Sequence, residues 1–416
     1  MGKHATSTEP ATPGLSLWQW ILVVFLVLWT IFTAIGVVRL WPGGQEPNIA
    51  PEYFTSFSLN HSQYKATVIH TDTGACQSAE TGAVFDSSPR YLPGVDDSCT
   101  WFIVEINEGD DAGKRTLLIN SGQPGEPTLE KNDQILLFKS DDPQQPTLYT
   151  FGDYQRSAPL AAWALLISLA IGVFALLRGV RALVGLGVTL VMILVFTIPI
   201  LLQGASPISA AVISGALILL IVVPLVHGFN WKSASALGGT LLALAIAAWL
   251  ASIAIDNNHL RGLGDEDNLH VILYLPDVSV EGLMLCGFII GALGVLNDVA
   301  ISQSSTVNEL SNLDPDADPI EIFLSAMKVG RDHISSMVYT LVLTYTGASL
   351  PLLLLLSVSG RPWSQILTSD IMATEVLRSG IGALALTLAV PITTLIAAYT
   401  VHGQRPATYH GGRPSY

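Results

Sequence analysis

The chain has 416 residues, half of them hydrophobic and only 12% charged, with a formal net charge of −14. Soluble domains carry about 25% charged residues, so lipid is the expected solvent for much of this surface. The acidic balance argues against nucleic acid as a partner.

Residues 1–16, rich in Thr, Ser and Pro, read as a short disordered tail. Residues 17–40 follow as an anchor helix, because Leu17–Val38 is apolar and ends at Arg39. About 20 apolar residues cross the hydrocarbon core, whereas the apolar part of a signal peptide runs to roughly 7–15.

Residues 41–157 differ in kind. Between Glu46 and Arg156 there are seventeen Asp/Glu against seven Lys/Arg, the balance of a solvated domain. Short alternations at Tyr64–His70, Thr100–Ile106, Arg115–Ile119 and Gln134–Phe138 are separated by turn-formers such as Glu108-Gly109-Asp110 and Lys131-Asn132-Asp133. This spacing predicts a small all-β domain, an OB-like barrel or a sandwich. Cys76 and Cys99 are expected to pair if the domain is extracytoplasmic, and Cys286, in an apolar run, to stay free.

Residues 158–402 form a seven-helix membrane domain on this reading, with spans near 159–177, 183–202, 207–226, 234–254, 282–301, 333–357 and 380–400. The fold class is therefore an α-helical polytopic membrane protein of about eight transmembrane helices, with the β domain after the first. Lys/Arg around Arg178–Arg181, Lys232, Lys328–Arg331 and Arg405–Arg413 place both termini in the cytoplasm and residues 41–157 outside. Residues 403–416 are then a cytoplasmic tail, and the 255–281 loop, with Asp265-Glu266-Asp267, lies outside.

Three stretches carry candidate chemistry. In the first, Gly287, Gly291 and Gly294 have nearly the small-xxx-small spacing that allows close helix contact. Asn297 and Asp298 follow, and Asp298, Ser302, Ser305 and Glu309 fall on one helical stripe. An acid inside a span marks a functional site because its burial is costly; one turn from a cytoplasmic end it simply reaches water. In the second, Arg331 and Asp332 open the next span, with Ser336, Thr340 and Thr344 deeper on the same helix. Arg331 is expected to pair with Asp298 or Glu309, and the hydroxyls either line a polar path or bond back to their own helix. In the third, Glu375 and Arg378 are expected to form an i,i+3 pair at the outer end of the last span. Asp314-Pro315-Asp316-Ala317-Asp318-Pro319 lacks the Gly and distal Glu of a calcium loop and is read as a cytoplasmic loop. No Walker lysine, nucleophile elbow, zinc signature or kinase signature occurs, so neither enzyme activity, cofactor nor metal is expected.

Gly291–Leu310, Gly330–Leu355 and Glu375–Ala397, with Gly228-Phe229-Asn230-Trp231-Lys232 and Gly238-Gly239-Thr240, resemble the YibE/F family of bacterial membrane proteins over essentially all of 159–400. Asn297, Gln303 and Thr306 depart from the residues usual there. The resemblance implies a multi-pass plasma-membrane protein of permease-like architecture. The expected partners are the lipid bilayer and a small solute or ion, with a homo-oligomer or another membrane protein as further candidates. Polar stripes and Pro/Gly breaks in a bundle favour a transporter. The alternative is a receptor or assembly subunit whose outer β domain binds a partner.

Overall fold

The computed structural model describes residues 15–44, 46–56, 62–87, 99–140, 147–264 and 266–401. The expectations for the N-terminal tail up to residue 14, for Asp265 and for the C-terminal tail from residue 402 lie outside them. The chain forms two compact units, one of residues 51–173 and one of residues 1–50 with 174–416.

The first unit is built on a six-stranded antiparallel sheet. Its strands are β1 (Gln63–Gly74), β2 (Val84–Phe85), β3 (Cys99–Ile106), β4 (Arg115–Asn120), β5 (Gln134–Lys139) and β6 (Tyr149–Tyr154), in the order β2-β4-β3-β1-β5-β6. Four of these coincide with the alternating segments of the sequence. The sheet curls until its edges meet. Gly82 N–H donates to Leu117 O on β4, while Gly82 O accepts from Tyr149 N on β6. One face of the curl closes over Ala66, Val68, Phe102, Val104, Ile106, Ile135 and Leu137. Water drives this core, and each large apolar side chain buried there contributes roughly 1.5–3 kcal/mol. Cys76 and Cys99 are joined in a disulfide with Cα atoms 5.0 Å apart. The register delivers them, since Gly74 on β1 lies opposite Cys99 on β3. Cys286 is free and buried.

The helices are α1 (Leu17–Leu40), α2 (Glu52–Ser56), α3 (Ser157–Met192), α4 (Ile198–Leu202), α5 (Pro207–His227), α6 (Trp231–Asn258), α7 (Glu266–Tyr274), α8 (Val280–Leu313), α9 (Pro319–Ala348), α10 (Leu350–Ser357), α11 (Trp363–Leu367) and α12 (Asp370–Thr400). Local chemistry sets the starts. Ser16 and Gln19 close a capping box on α1, so the chain is ordered just before the anchor. Asn230, Ser279 and Ser369 cap α6, α8 and α12. Asp318 caps α9 and Pro319 occupies its first turn. The helix therefore begins well before residue 333, and the acidic Pro-rich loop is its entry.

Six helices among the described residues are long and apolar enough to cross a membrane, or seven if the bent pair α9–α10 counts as one span. The sequence expectation was about eight. The difference lies at Ser157–Leu202, which runs as one helical stretch of 46 residues, with a π-helical turn at Ile193–Thr197. Leu176 interrupts it with φ 51° and ψ −138°.

In the second unit the helix ends sort into two sets. At one end, Gln19 Nε2 donates to Thr400 O and Ser304 Oγ to Lys232 O. At the other, Ala50 N donates to Tyr274 O, and Arg261 N and Leu263 N donate to the Asp370 carboxylate. Helices α6, α8, α9 and α12 meet around Ala247, Leu296, Val299, Leu386, Ala389 and Val390. Lipid tails are as apolar as Leu, so close packing and not burial from water holds such a bundle together. Small residues permit it. A Cβ on Gly239 would overlap Thr393 Oγ1 and lie 2.9 Å from Thr393 Cα.

Candidate functional site

The first candidate stretch is divided between an exposed side and the interior. Gly287, Gly291, Gly294 and Asp298 are all exposed on one side of α8, and Glu309 is exposed beyond them. A Cβ on Gly287 or Gly294 would meet nothing within 4 Å. Among the described residues, then, no neighbouring helix packs closely on these two glycines. Gly291 alone is used, making room for the Tyr345 hydroxyl. Arg331 and Asp332 are exposed on α9, and no ion pair joins Arg331 to Asp298 or Glu309 among the described residues. The correction has a simple cause: the apolar stripes of α8 and α9 turn inward and carry these charges to the outer face. Exposed Ser336 has no role here beyond its carbonyl. Thr340 Oγ1 donates to Ser336 O and Thr344 Oγ1 to Thr340 O, so the hydroxyls serve their own helix. Ser305 is half-buried, and Asn297 Oδ1 is buried with no hydrogen-bond partner.

Ser302 enters a network that the stripe did not include. Its Oγ lies 3.1 Å from His333 Nδ1, which is 3.3 Å from Gln303 Nε2. Thr394 Oγ1 donates to Gln303 Oε1 at 3.1 Å. Gln303 and Thr394 are fully buried, so three helices are tied together by a connected set of polar side chains. A Cβ on Gly330 would lie 2.8 Å from Val390 and 3.2 Å from Gln303 Oε1. The signal in the sequence was Gln303 itself, a polar residue on the stripe Ala292, Leu296, Val299, Val307.

The third candidate pair is the one around which the structure gathers most. α9 stops at Ala348, and α10 departs from it at 66°. Pro351, in the first turn of α10, has no N–H to continue the ladder of α9. At this break Ser349 Oγ donates to Glu375 Oε2 at 2.9 Å, and Arg378 Nη1 donates to Glu375 Oε1 at 2.9 Å. The two charged side chains are 20% and 31% exposed, so water screens the pair only partly. The Arg378 guanidinium also sits 5.4 Å from the centre of the Phe288 ring. Ser349 spends its hydroxyl on Glu375 and gives α10 no side-chain cap. The pair expected from spacing is thus present. Ser349, which sequence reasoning missed as a partner, joins it only because the helix breaks there.

Two cavities meet at this point. One, of about 350 Å³, is polar and is bordered by Gly262, Asn268, Thr374, Glu375 and Arg378. The other, of about 300 Å³, is mostly apolar and is bordered by Val342, Tyr345, Leu353, Met372 and Val376. Ser349 and Glu375 belong to both walls. No group of three or more His, Cys, Asp or Glu able to hold a metal occurs among the described residues.

A family model described as YibE/F-like protein matches residues 163–403. No curated protein and no solved structure gives a significant match.

Proposed function

Because the chain belongs to the YibE/F-like protein family, we propose that it is a transporter of a small solute or ion in a bacterial plasma membrane, and not an enzyme. One observation carries this reading: a broken membrane helix, α9–α10, opens at a half-buried Glu375–Arg378 pair beside two cavities. Interrupted helices with polar groups at the break are how membrane bundles build solute sites, because irregular backbone survives there only where protein or a cavity surrounds it.

Helix ends support a topology of eight crossings. Ala50 bonds to Tyr274, and a Cβ on Gly204 would lie 3.3 Å from Asp277 O, so both flanks of 51–203 lie at one end of the second unit. The chain therefore crosses an even number of times between them. A helical stretch of 46 residues, at 1.5 Å each, is long enough for two crossings. The non-helical backbone of Leu176, with Arg178 and Arg181 just after it, supports a reversal there. Both termini are then cytoplasmic and residues 41–157 extracytoplasmic. The ring of strands β1-β3-β4-β6-β5, closed through Gly82, supports an OB-type barrel for that domain.

The alternative is a receptor or assembly subunit. It draws on the close apolar packing of Leu296, Val299, Leu386 and Val390, all fully buried, between Glu375 and the Gln303 network. Reconstitution separates the two. Proteoliposomes holding the full chain should exchange at least one solute that profiling of overproducing and deleted cells identifies. Unchanged profiles together with tight proteoliposomes would overturn the transporter reading.

A further inference from the structure

We propose that the paired cavities form a binding site for a small apolar zwitterion, an amino acid with a hydrocarbon side chain, whose ammonium meets Glu375 and whose carboxylate meets Arg378. The inference rests on the transporter reading for its purpose, but not for its chemistry.

In the structure Glu375 and Arg378 satisfy each other. Removing one partner of a poorly hydrated pair leaves a charge without compensation, and that is strongly unfavourable. A lone cation drawn to Glu375 would strand Arg378, and a lone anion drawn to Arg378 would strand Glu375. A ligand carrying both charges lets the two side chains part while each keeps an opposite charge. The guanidinium has five N–H donors, of which Nη1 serves Glu375. The Phe288 ring, 5.4 Å from the guanidinium carbon, gives the cation a second contact that does not use its remaining donors, which stay available to a carboxylate.

The cavities supply the rest. The polar one reaches the pair past Gly262 and Asn268. The apolar one begins on the other side of Ser349 and Glu375 and is walled by Val342, Tyr345, Leu353 and Val376. Ligand pockets of about 300 Å³ and upward are of this kind, mostly apolar with a few convergent polar groups. The hydrogen bond from Ser349 to Glu375 stands between them. An arriving ammonium replaces the Ser349 hydroxyl on the carboxylate, and the partition opens for the side chain. Tyr345 is placed there through Gly291, which leaves space for its hydroxyl.

The test uses the full-length protein in lipid nanodiscs with radiolabelled L-leucine as probe. L-phenylalanine and L-methionine should compete. Leucinamide, which keeps only the ammonium, and 4-methylpentanoate, which keeps only the carboxylate, should be weaker by roughly 30-fold or more, the effect of leaving one buried charge unpaired. Each variant should remove one half of that ranking without abolishing folding. In Glu375→Gln, 4-methylpentanoate should compete as well as leucine, and in Arg378→Gln, leucinamide should. No binding of any of the three amino acids, or binding that ignores the loss of either charge, would overturn the site. Binding without exchange in proteoliposomes would keep the site and overturn transport. Exchange of a different solute without amino-acid binding would do the reverse.

Discussion

Gln303 occupies a position that the helical period of α8 gives to apolar residues, and its amide is satisfied only because His333 and Thr394 come from two other helices. Each of those partners has a second bond, Thr394 to Val390 O and His333 to Ser302. Gln303→Leu should therefore lower stability by about 1–3 kcal/mol, the net worth of the two hydrogen bonds it removes. Adding Ser302→Ala strips the last of these partners from His333 Nδ1. The double variant should lose more than the two single variants together, by about 0.5–3 kcal/mol, in thermal unfolding followed in detergent. Additive losses would mean that the four groups do not act as a network. In the β domain, the hydrogen bond from Lys114, assisted by Tyr149 and by the charge of Lys139, holds the Asp111 carboxyl below its usual range. A carboxylate depressed in the folded state adds stability above its unfolded value of about 3.9, and that stability is lost as pH falls through the lower, folded value. Proteolysis of the β domain should accelerate as pH drops below about 4, and Asp111→Asn should flatten that dependence. An unchanged slope would assign acid sensitivity to other carboxylates.

At the scale of elements, the crossing of α6 over α12 is set by one missing side chain. A Cβ at position 239 meets both the side chain and the backbone of Thr393, so the helices must move apart. Gly239→Ala should cost about 1–3 kcal/mol, the usual penalty for overpacking. Gly294→Ala, with nothing within 4 Å, should stay within roughly ±0.5 kcal/mol of the parent. Melting of the two purified variants measures both, and a stable Gly239→Ala protein would show that the crossing is looser than its geometry. The contrast between these glycines was not legible in the sequence, where Gly287, Gly291 and Gly294 have the better motif. The break between α9 and α10 was only partly legible. Pro351 signals it, but a proline in a membrane helix can kink the element or end it, and the neighbours decide which.

For the whole molecule, the proposed eight-crossing topology makes a prediction that composition alone does not. In a background free of Cys76 and Cys99, Ser121→Cys should react with an impermeant thiol reagent in intact cells. Arg181→Cys and Lys232→Cys should react only after lysis. Labelling of position 181 from outside would reduce Ser157–Leu202 to a single crossing and break the agreement between Ala50 and Gly204. Labelling of position 121 only after lysis would invert the protein in the membrane.

Composition and the length of the apolar runs were enough to determine that this is a membrane protein with a solvated β domain after its first helix. Period-two alternation located four of the six strands, because in water one face of a sheet must be apolar and the other need not be. β2 has only two residues, and β6 carries Gly152 and Asp153 in its second half, so neither holds a sustained alternation. The family was legible too, since its marks are local strings of residues. Which face of each membrane helix points inward was not. Lipid and protein core are both apolar, so hydrophobicity does not distinguish them, and the stripe that begins at Asp298 could be read as interior although Asp298 and Glu309 are exposed. Tertiary structure alone joined Ser302, Gln303, His333 and Thr394. It also brought Ser349 to Glu375, 26 residues away, because those meetings depend on packing and on where one helix breaks.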